Sequence, residues 1–291
     1  MLALLFQQII QGLAIGSVYG LIAIGYVLIW NARGVLNMAQ GDIAMVGAFS
    51  ILIFHTWFNM PFYIAFPLAI AASMLIGLII DFTAFRPLSG ADDTSKLIAT
   101  IGVAIFLRNI FRYFFGSDPY LFPSIFGDKP LYIGNLIVIP QNIWTTVIGF
   151  SLVLLLSLFL NKTSIGKSMR ATAQDKEAAE LMGINVKNTL TLTFLIASAL
   201  GAIAGMLLAP MYFVKSELGA TYGTKGYAAA ILGGLTSMPG AMFGGIVLGL
   251  LECLAGAYIS SAYQSAIAFV VLFAVLVIKP SGLFGKNINK D

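Results

Sequence analysis

Long uninterrupted apolar runs dominate this chain and restrict what it can fold into. They cover about residues 8–30, 38–57, 62–83, 97–115, 142–160, 190–213, 226–252 and 262–278. A helix of about 20 apolar residues crosses a hydrocarbon core of ~30 Å, and the runs lack the alternation that β-barrel strands show. Apolar residues make up 59% of the 291 residues and charged residues only 10%. The sequence therefore predicts an all-α, polytopic transmembrane bundle of about eight hydrophobic segments, with residues 1–291 forming a single domain.

The charged and reactive residues exclude several other classes of protein. A net charge of +4 could indicate nucleic acid in a soluble chain, but basic residues also collect at the cytoplasmic ends of membrane helices. We therefore predict no nucleic-acid partner. A single cysteine, Cys253, and a single histidine, His55, do not suit a disulfide or a Cys/His metal site, so no metal is predicted. The glycine-rich runs lack the Lys-Ser/Thr of a phosphate-binding loop, so no cofactor is expected in this chain, and ATP hydrolysis would take place in a partner.

The distribution of lysine and arginine predicts how the chain is oriented. The most basic connection, residues 161–187, should lie in the cytoplasm, which places the N-terminus outside. This orientation puts Lys215 and Lys225 in outer loops. A C-terminus inside, suggested by the basic tail, requires residues 226–252 to be split rather than to cross as one rod. Gly233-Gly234 and Pro239-Gly240 are suitable breaks.

Glycines repeat at helical spacing on several of the predicted spans. Small residues four apart let helix backbones approach closely where lipid removes the hydrophobic driving force between helices. The pattern predicts packing faces, and sliding of these faces during transport is an alternative that spacing alone does not decide. The glycines concerned are Gly12, Gly16, Gly20, Gly201, Gly205, Gly240 and Gly244.

The connection 161–187 is the longest polar segment on the predicted cytoplasmic side. Its composition favours a helix over about 167–182, ended by Gly183 in a left-handed conformation. Asn185 can cap the next helix. Ala171, Ala178, Leu181 and Met182 share one face of this predicted helix. The amphipathic helix could simply lie solvated at the membrane surface. Alternatively, it docks into a groove on another protein.

The residues of this connection resemble a known family. Glu177-Ala178-Ala179, followed by Gly183, is similar to the EAA loop of ATP-binding-cassette importer permeases. The string GKSMRATAQDKEAAELMGIN resembles the H-type permeases of branched-chain amino-acid import systems, as do GSVYGLIAIGYVLIW, LNMAQGDIAMVGAF, LIATIGVAI, AAAILGGLTSMPGAMFGGIVLGLLE and KPSGLFG. Family members commonly carry His and Glu around Gln40 and Asp42, and Gln where Arg108 stands. These differences bear on the identity of the solute.

The resemblance implies a set of partners. The helix of the 161–187 loop would be a coupling helix seated in a cytoplasmic ATPase that binds Mg-ATP. A second related permease, or a second copy of this chain, would complete the pore in the bacterial cytoplasmic membrane. A periplasmic or surface solute-binding protein would deliver the solute to its outer face. The residues that dock the coupling helix onto the ATPase would be Arg170, Asp175, Glu177, Ala178, Ala179 and Gly183.

Polar residues inside the predicted spans are candidates for the translocation path. Asn37, Gln40 and Asp42 begin the second span, where Asp42 either caps the helix or contributes to the path. Arg108 lies within the fourth span, and an intramembrane arginine usually has a partner in the bundle interior. Glu252 is the candidate partner.

The predicted function is therefore the permease subunit of an importer for branched-chain or other small apolar amino acids. Amides or urea-like solutes are the alternative substrates. A self-sufficient secondary transporter or channel would need an ion relay of acidic or histidine residues within the spans, and this sequence offers few. A membrane enzyme is a poorer hypothesis, because no catalytic constellation is present.

Overall fold

The computed structural model describes residues 2–127, 129–133 and 136–285. Helices account for most of these residues, and two of them, α2 and α3, continue into π-helical turns at Leu52–Trp57 and Asp81–Phe85. The helices are α1 Leu2–Arg33, α2 Gln40–Ile51, α3 Phe62–Ile80, α4 Asp93–Phe115, α5 Pro140–Lys162, α6 Ser164–Gln174, α7 Lys176–Leu181, α8 Val186–Leu208, α9 Leu218–Gly233, α10 Met238–Tyr258 and α11 Gln264–Ile278. A short antiparallel hairpin, β1 Leu131–Ile133 and β2 Leu136–Val138, precedes α5.

Seven helices in the described part of the chain are long and apolar enough to cross a membrane. The predicted all-α membrane bundle is thus confirmed. These seven candidate spans correspond to helices α1, α3, α4, α5, α8, α10 and α11. The most apolar stretch of α1 is 94% buried within the protein, whereas that of α4 is 17% buried and that of α11 6%. Helix α1 is therefore the central element, and α4 and α11 lie at the periphery.

Helix α1 packs closely against α10 through glycines on both helices. A Cβ atom on Gly16 would lie 2.7 Å from the Cα of Ile246, and one on Gly249 would lie 2.5 Å from the Cα of Gly16. Such a separation leaves no room for a side chain, so the two backbones are in contact. Gly205 approaches Ala44 on α2 in the same way, and Gly244 approaches Ala229 on α9.

The segment 226–252 is split, as its glycines and proline predict. Helix α9 ends at Gly233, and Gly234 has a left-handed φ of +102°. Helix α10 then begins at Met238, where the Ser237 hydroxyl accepts a hydrogen bond from the Gly240 N–H over 3.1 Å. The last residues that the structure describes return to this break, because the Phe284 N–H donates to the carbonyl of Gly233 over 3.0 Å.

The connection 161–187 forms two helices, so the prediction of one helix over 167–182 is wrong. The break lies at Asp175, which has an extended backbone with φ −154° and ψ 117°. Its carboxylate accepts a hydrogen bond from the Ala178 N–H over 3.0 Å and so caps α7. An aspartate side chain competes for backbone donors in this way, and so it favours a helix start over a helix interior.

The end of α7 and the start of α8 follow the prediction. Gly183 has a φ of +81°, and its N–H donates to the Glu180 carbonyl over 2.9 Å. The Asn185 side chain accepts a hydrogen bond from the Asn188 N–H over 3.1 Å and caps α8. We call the end of the bundle where α6 and α7 lie the loop end.

Helix α2 begins well inside the bundle rather than at the loop end. The Met38 N–H donates to the Thr100 hydroxyl over 3.2 Å, and Thr100 lies about 10 Å along α4 from its first residue. The Gln40 amide donates to the Ala197 carbonyl over 2.8 Å, about 16 Å along α8. Residues 34–39 therefore re-enter the bundle before α2 starts. Val35, Asn37 and Ala39 of this irregular backbone are buried, as the bilayer interior requires.

Helix α9 also begins inside the bundle, from the opposite side. Its first turns touch those of α2, since a Cβ on Gly219 would lie 2.5 Å from Oδ1 of Asp42, and one on Gly223 would lie 2.8 Å from the Cα of Gly41. Two short helices thus meet by their N-terminal turns within the bundle. Discontinuous helices of this kind form the solute sites of several transporter folds.

Candidate functional site

Asp42 and Arg108 form an ion pair where α2, α4 and α9 meet. Nε of Arg108 donates to Oδ1 of Asp42 over 2.8 Å, and the Asp42 side chain is 1% exposed while that of Arg108 is 35% exposed. The prediction that Glu252 is the partner of Arg108 is therefore wrong. So is the capping interpretation of Asp42, because Ala39 occupies the N-cap position of α2 without a side-chain cap.

Asn37, in the re-entrant segment, and Gln40, the first residue of α2, are fully buried. Two glycines pack against the Gln40 amide. A Cβ on Gly25 would lie 2.1 Å from Nε2 of Gln40, and a Cβ on Gly201 would lie 3.0 Å from the same atom. Among the described residues, Oε1 of Gln40 and Nδ2 of Asn37 have no hydrogen-bond partner. Buried polar atoms without partners are rare, so this segment keeps unused hydrogen-bonding capacity inside the bundle.

Glu252 belongs to a separate polar cluster, which joins four helices. Its carboxylate accepts hydrogen bonds from the hydroxyls of Tyr19 over 2.6 Å and Ser265 over 2.8 Å, and it forms an ion pair with Lys225. The Lys225 ammonium also lies 5.7 Å from the ring centre of Tyr222. Because the carboxylate is 2% exposed and well satisfied, this cluster meets the conditions under which a buried ion pair persists.

Lys225 therefore lies within α9 and not in an outer loop, which corrects the sequence prediction. A lysine that directly precedes an apolar run looks like a helix-end residue when the run is taken to begin after it. The helix begins at Leu218, so Lys225 sits about 10 Å into it. Its ion pair supplies the partner that an intramembrane charge requires.

A third cluster lies at the loop end and was not predicted. Asp81 is fully buried and forms ion pairs with Arg33 on α1 and with Arg86, the latter over 3.2 Å. The Thr191 hydroxyl on α8 donates to Asp81 over 2.8 Å and accepts from Arg86 over 2.7 Å. The cluster thus joins α1 and α3 to the second turn of α8, directly after the connection 161–187.

The predicted docking residues take different positions on α6 and α7. Asp175, Glu177 and Ala178 are exposed, but Ala179 is 4% exposed and faces the protein itself. Ala179 therefore does not present a surface to a partner. Arg170 donates to the Asn161 side chain over 2.9 Å and lines a cavity of about 390 Å³ at the loop end.

Two large apolar side chains stand free at the end of α7. Leu181 is 88% exposed and Met182 is 83% exposed. Both belong to the apolar face that helical spacing predicts, yet only their tertiary exposure identifies them as available for contact. At the start of α7, partial burial lowers the pKa of the Lys176 ammonium, and the nearby Arg33 and Lys96 charges lower it further.

These features define a class of protein. A multi-pass helical bundle with re-entrant helix starts and several buried charge clusters has the construction of a membrane transport protein. Comparison with known proteins then gives the family. A family model described as branched-chain amino acid transport system / permease component matches residues 8–276. The chain belongs to this family.

Individual relatives match over almost the whole chain. The high-affinity branched-chain amino acid transport system permease proteins LivH of Escherichia coli and BraD of Pseudomonas aeruginosa are 34% and 35% identical, each over 96% of this chain and 95% of the relative. The probable permease LivH of Methanocaldococcus jannaschii is 30% identical over 98% of this chain and 94% of its own length. Among solved structures, PsaBC from Streptococcus pneumoniae in complex with Fab aligns with a TM-score of 0.49 at 18% identity, covering 94% of this chain and 90% of that chain.

Proposed function

We propose that this chain is a permease subunit of an ATP-binding-cassette importer that moves branched-chain amino acids across the bacterial cytoplasmic membrane. The observation that carries the proposal is the family match over residues 8–276, together with full-length relatives named as branched-chain amino acid permeases. The chain itself would bind and release the solute, and a separate ATPase subunit would bind and hydrolyse Mg-ATP.

Helix α7 is the proposed contact with the ATPase. An apolar pair as exposed as Leu181 and Met182 is suited to a partner's groove, and helix-in-groove docking uses anchors of this kind. Exposed Glu177 and Ala178 lie on the same short helix. Because Asn185 and Gly183 fix the turn into α8, movement of α7 would pass directly to α8 and, through Thr191, to the Asp81 cluster.

The proposed orientation places the loop end in the cytoplasm and the N-terminus outside. Phe284 lies beside the break between α9 and α10 and lines the same loop-end cavity as Arg170, so we propose that the C-terminus lies on the cytoplasmic side. The basic residues Lys286 and Lys290, on which the sequence prediction also rested, lie outside the described residues. A second related permease or a second copy of this chain, and an external solute-binding protein, would complete the importer.

Transport by the reconstituted complex tests this proposal. The complex is placed in liposomes with ATP on the loop-end side, and uptake of tritiated leucine is compared with uptake in the presence of ADP. We expect uptake that requires ATP and the solute-binding protein. Uptake by this chain alone, driven by a proton or sodium gradient, would contradict the proposal and indicate a secondary transporter.

Labelling from outside intact cells tests the orientation separately. Glu177→Cys, in a Cys253→Ser background, should react with a membrane-impermeant maleimide only after the cells are permeabilised. Lys215→Cys in the same background should react without permeabilisation, because Lys215 is exposed near the start of α9. Reaction of the residue-177 cysteine in intact cells would place α7 outside and remove it from any ATPase.

A further inference from the structure

A small polar cavity lies between the distal part of α4 and the start of α9. Its volume is about 160 Å³, similar to the cavities of roughly 150 Å³ that hold a benzene-sized ligand. It lies farther from the loop end than Asp42, because Arg112 is about 28 Å along α4 from Asp93. The polar lining consists of Arg108, Asn109 and Arg112 on α4, with Ser216 and Glu217 before α9.

The charges at this cavity balance. Arg112 forms an ion pair with Glu217, and the two side chains are 51% and 41% exposed. Arg108 is held from behind by Asp42 through Nε, and its terminal nitrogens make no hydrogen bond to the described residues. Two guanidinium groups and the Glu217 carboxylate therefore line the cavity, and the Asp42 carboxylate behind Arg108 balances the remaining positive charge. A ligand with no net charge but separated positive and negative groups preserves this balance, whereas a simple anion or cation does not.

The start of α9 supplies unused hydrogen-bond donors to the same cavity. Ser216 is 2% exposed, and its hydroxyl, although close to Glu217, makes no hydrogen bond of normal geometry within the described part of the chain. The Leu218 N–H at the start of α9 donates to the Lys215 carbonyl over 3.0 Å. No side chain caps α9, and the next two N–H groups, those of Gly219 and Ala220, make no hydrogen bond to the described residues, so they can bind a ligand as uncapped helix starts do. The positive end of the helix dipole also favours a carboxylate here.

We propose that this cavity binds the zwitterionic head of an α-amino acid. The α-carboxylate lies between Arg108, Ser216 and the start of α9, while the α-ammonium replaces Arg112 as the partner of Glu217. The Arg112–Glu217 pair opens readily, because exposed ion pairs contribute little stability. The ligand class rests on the function proposed above, and the cavity adds the place and the recognised group.

The size of the cavity determines which part of an amino acid it can recognise. Drug-sized ligands usually occupy cavities of about 300–1,000 Å³, so a volume of about 160 Å³ admits the head of an amino acid and leaves its side chain outside. The apolar side chain then lies against the lipid-exposed face of α4, near Ile105, which is 51% exposed. The cavity therefore recognises α-amino acids as a class and does not discriminate among their apolar side chains.

Photolabelling of the full-length chain, with its partner subunits in nanodiscs, tests the site directly. The probe is a leucine analogue with a diazirine in its side chain, and mass spectrometry locates the label. We expect labelling of the peptides that contain Ile105 and Ala220. Leucine should compete, whereas leucinol, which lacks the carboxylate, and 4-methylpentanoate, which lacks the ammonium, should not. Equal competition by all three compounds overturns the proposal.

Variants separate ligand binding from a structural role. Glu217→Gln should lower labelling by about tenfold or more, the loss that follows from one charge-assisted hydrogen bond. Arg112→Gln should not lower labelling, because the α-ammonium takes the place of Arg112 beside Glu217. Lys215→Gln makes the same change of charge as Arg112→Gln outside the cavity and should leave labelling unchanged. The double variant Arg112→Glu/Glu217→Arg rebuilds the ion pair but reverses it relative to Arg108. Restored labelling in the double variant would show a purely structural pair and would overturn the proposal.

The lipid composition of the nanodiscs distinguishes an amino acid from a lipid headgroup. Phosphatidylethanolamine also carries an ammonium beside an anionic group. If labelling appears in phosphatidylcholine nanodiscs and disappears when phosphatidylethanolamine is added, the site belongs to the lipid and the proposal fails. ATP-driven leucine uptake without labelling would reject this site and leave the importer function standing. Labelling without ATP-driven uptake would support the site and reject the importer function.

Discussion

Nε of Arg108 donates a hydrogen bond to Oδ1 of Asp42 over 2.8 Å and joins the distal part of α4 to the first turn of α2. The contact matters because α4 is otherwise one of the least buried helices, with 17% of its most apolar stretch inside the protein. A carboxylate that is 1% exposed is stable at membrane depth only with such a partner. The ion pair therefore both fixes α4 and satisfies Asp42.

Removal of Arg108 should destabilise the protein through the carboxylate it leaves behind. Arg108→Gln should lower the free energy of unfolding by less than the roughly 3–5 kcal/mol seen for fully buried pairs, because Arg108 is itself 35% exposed. Thermal unfolding in detergent would show a lower midpoint. The double variant Asp42→Asn/Arg108→Gln should recover part of the loss, since no charge stays unpaired. Equal midpoints for Arg108→Gln and the exposed control Lys187→Gln would contradict this account.

Leu181 should affect the ATPase contact without affecting the permease fold. Because Leu181 is 88% exposed, Leu181→Ser should change the stability of the chain by no more than about 0.5 kcal/mol. If Leu181 fills a groove of the ATPase, its removal should weaken that complex by roughly tenfold or more. The affinity of purified ATPase for the permease in nanodiscs measures this. The control Lys162→Ser changes an exposed residue outside α7, and an equal affinity for both variants would argue against docking through α7.

Gly183 should tolerate only residues that accept a left-handed backbone. With φ at +81°, a residue with a Cβ costs about 1–2 kcal/mol, so Gly183→Ala should misplace α7 relative to α8 and reduce ATP-driven leucine uptake. Gly183→Asn should be milder, because asparagine adopts this conformation more readily. Gly90→Ala is the matched control, since a Cβ there would meet nothing within 4 Å. Uptake by Gly183→Ala at the level of Gly90→Ala would contradict the prediction.

Gly16 and Gly102 should respond in opposite ways to the same substitution. A Cβ on Gly16 would lie 2.7 Å from the Cα of Ile246 on α10, so Gly16→Ala should separate α1 from α10 and cost about 1–3 kcal/mol. A Cβ on Gly102 would meet nothing within 4 Å, so Gly102→Ala should be neutral or slightly stabilising. Thermal unfolding of the two variants compares them directly. A higher midpoint for Gly16→Ala would show that α1 and α10 do not pack through glycine.

Local features of the sequence determined a large part of the fold. Apolar runs of membrane length gave the spans, because no soluble fold can hide so much apolar surface. Gly183, Asn185 and the Gly233-Gly234 break gave helix ends, because a left-handed turn or a cap depends on residues within a few positions. Asp175 carried a similar capping signal ahead of α7, and the predicted continuous helix overlooked it.

Only the tertiary structure decided which charges meet and where the short helices begin. Arg108 pairs with Asp42 and Glu252 with Lys225 because re-entrant segments bring the starts of α2 and α9 to those levels of the bundle. A partner in a distant segment has no local signature, since its choice depends on how whole helices pack and on the cost of leaving any buried charge alone. For the same reason, sequence periodicity placed Ala178 and Leu181 on one helix, while packing determined that Ala179 turns inward and Leu181 stays free.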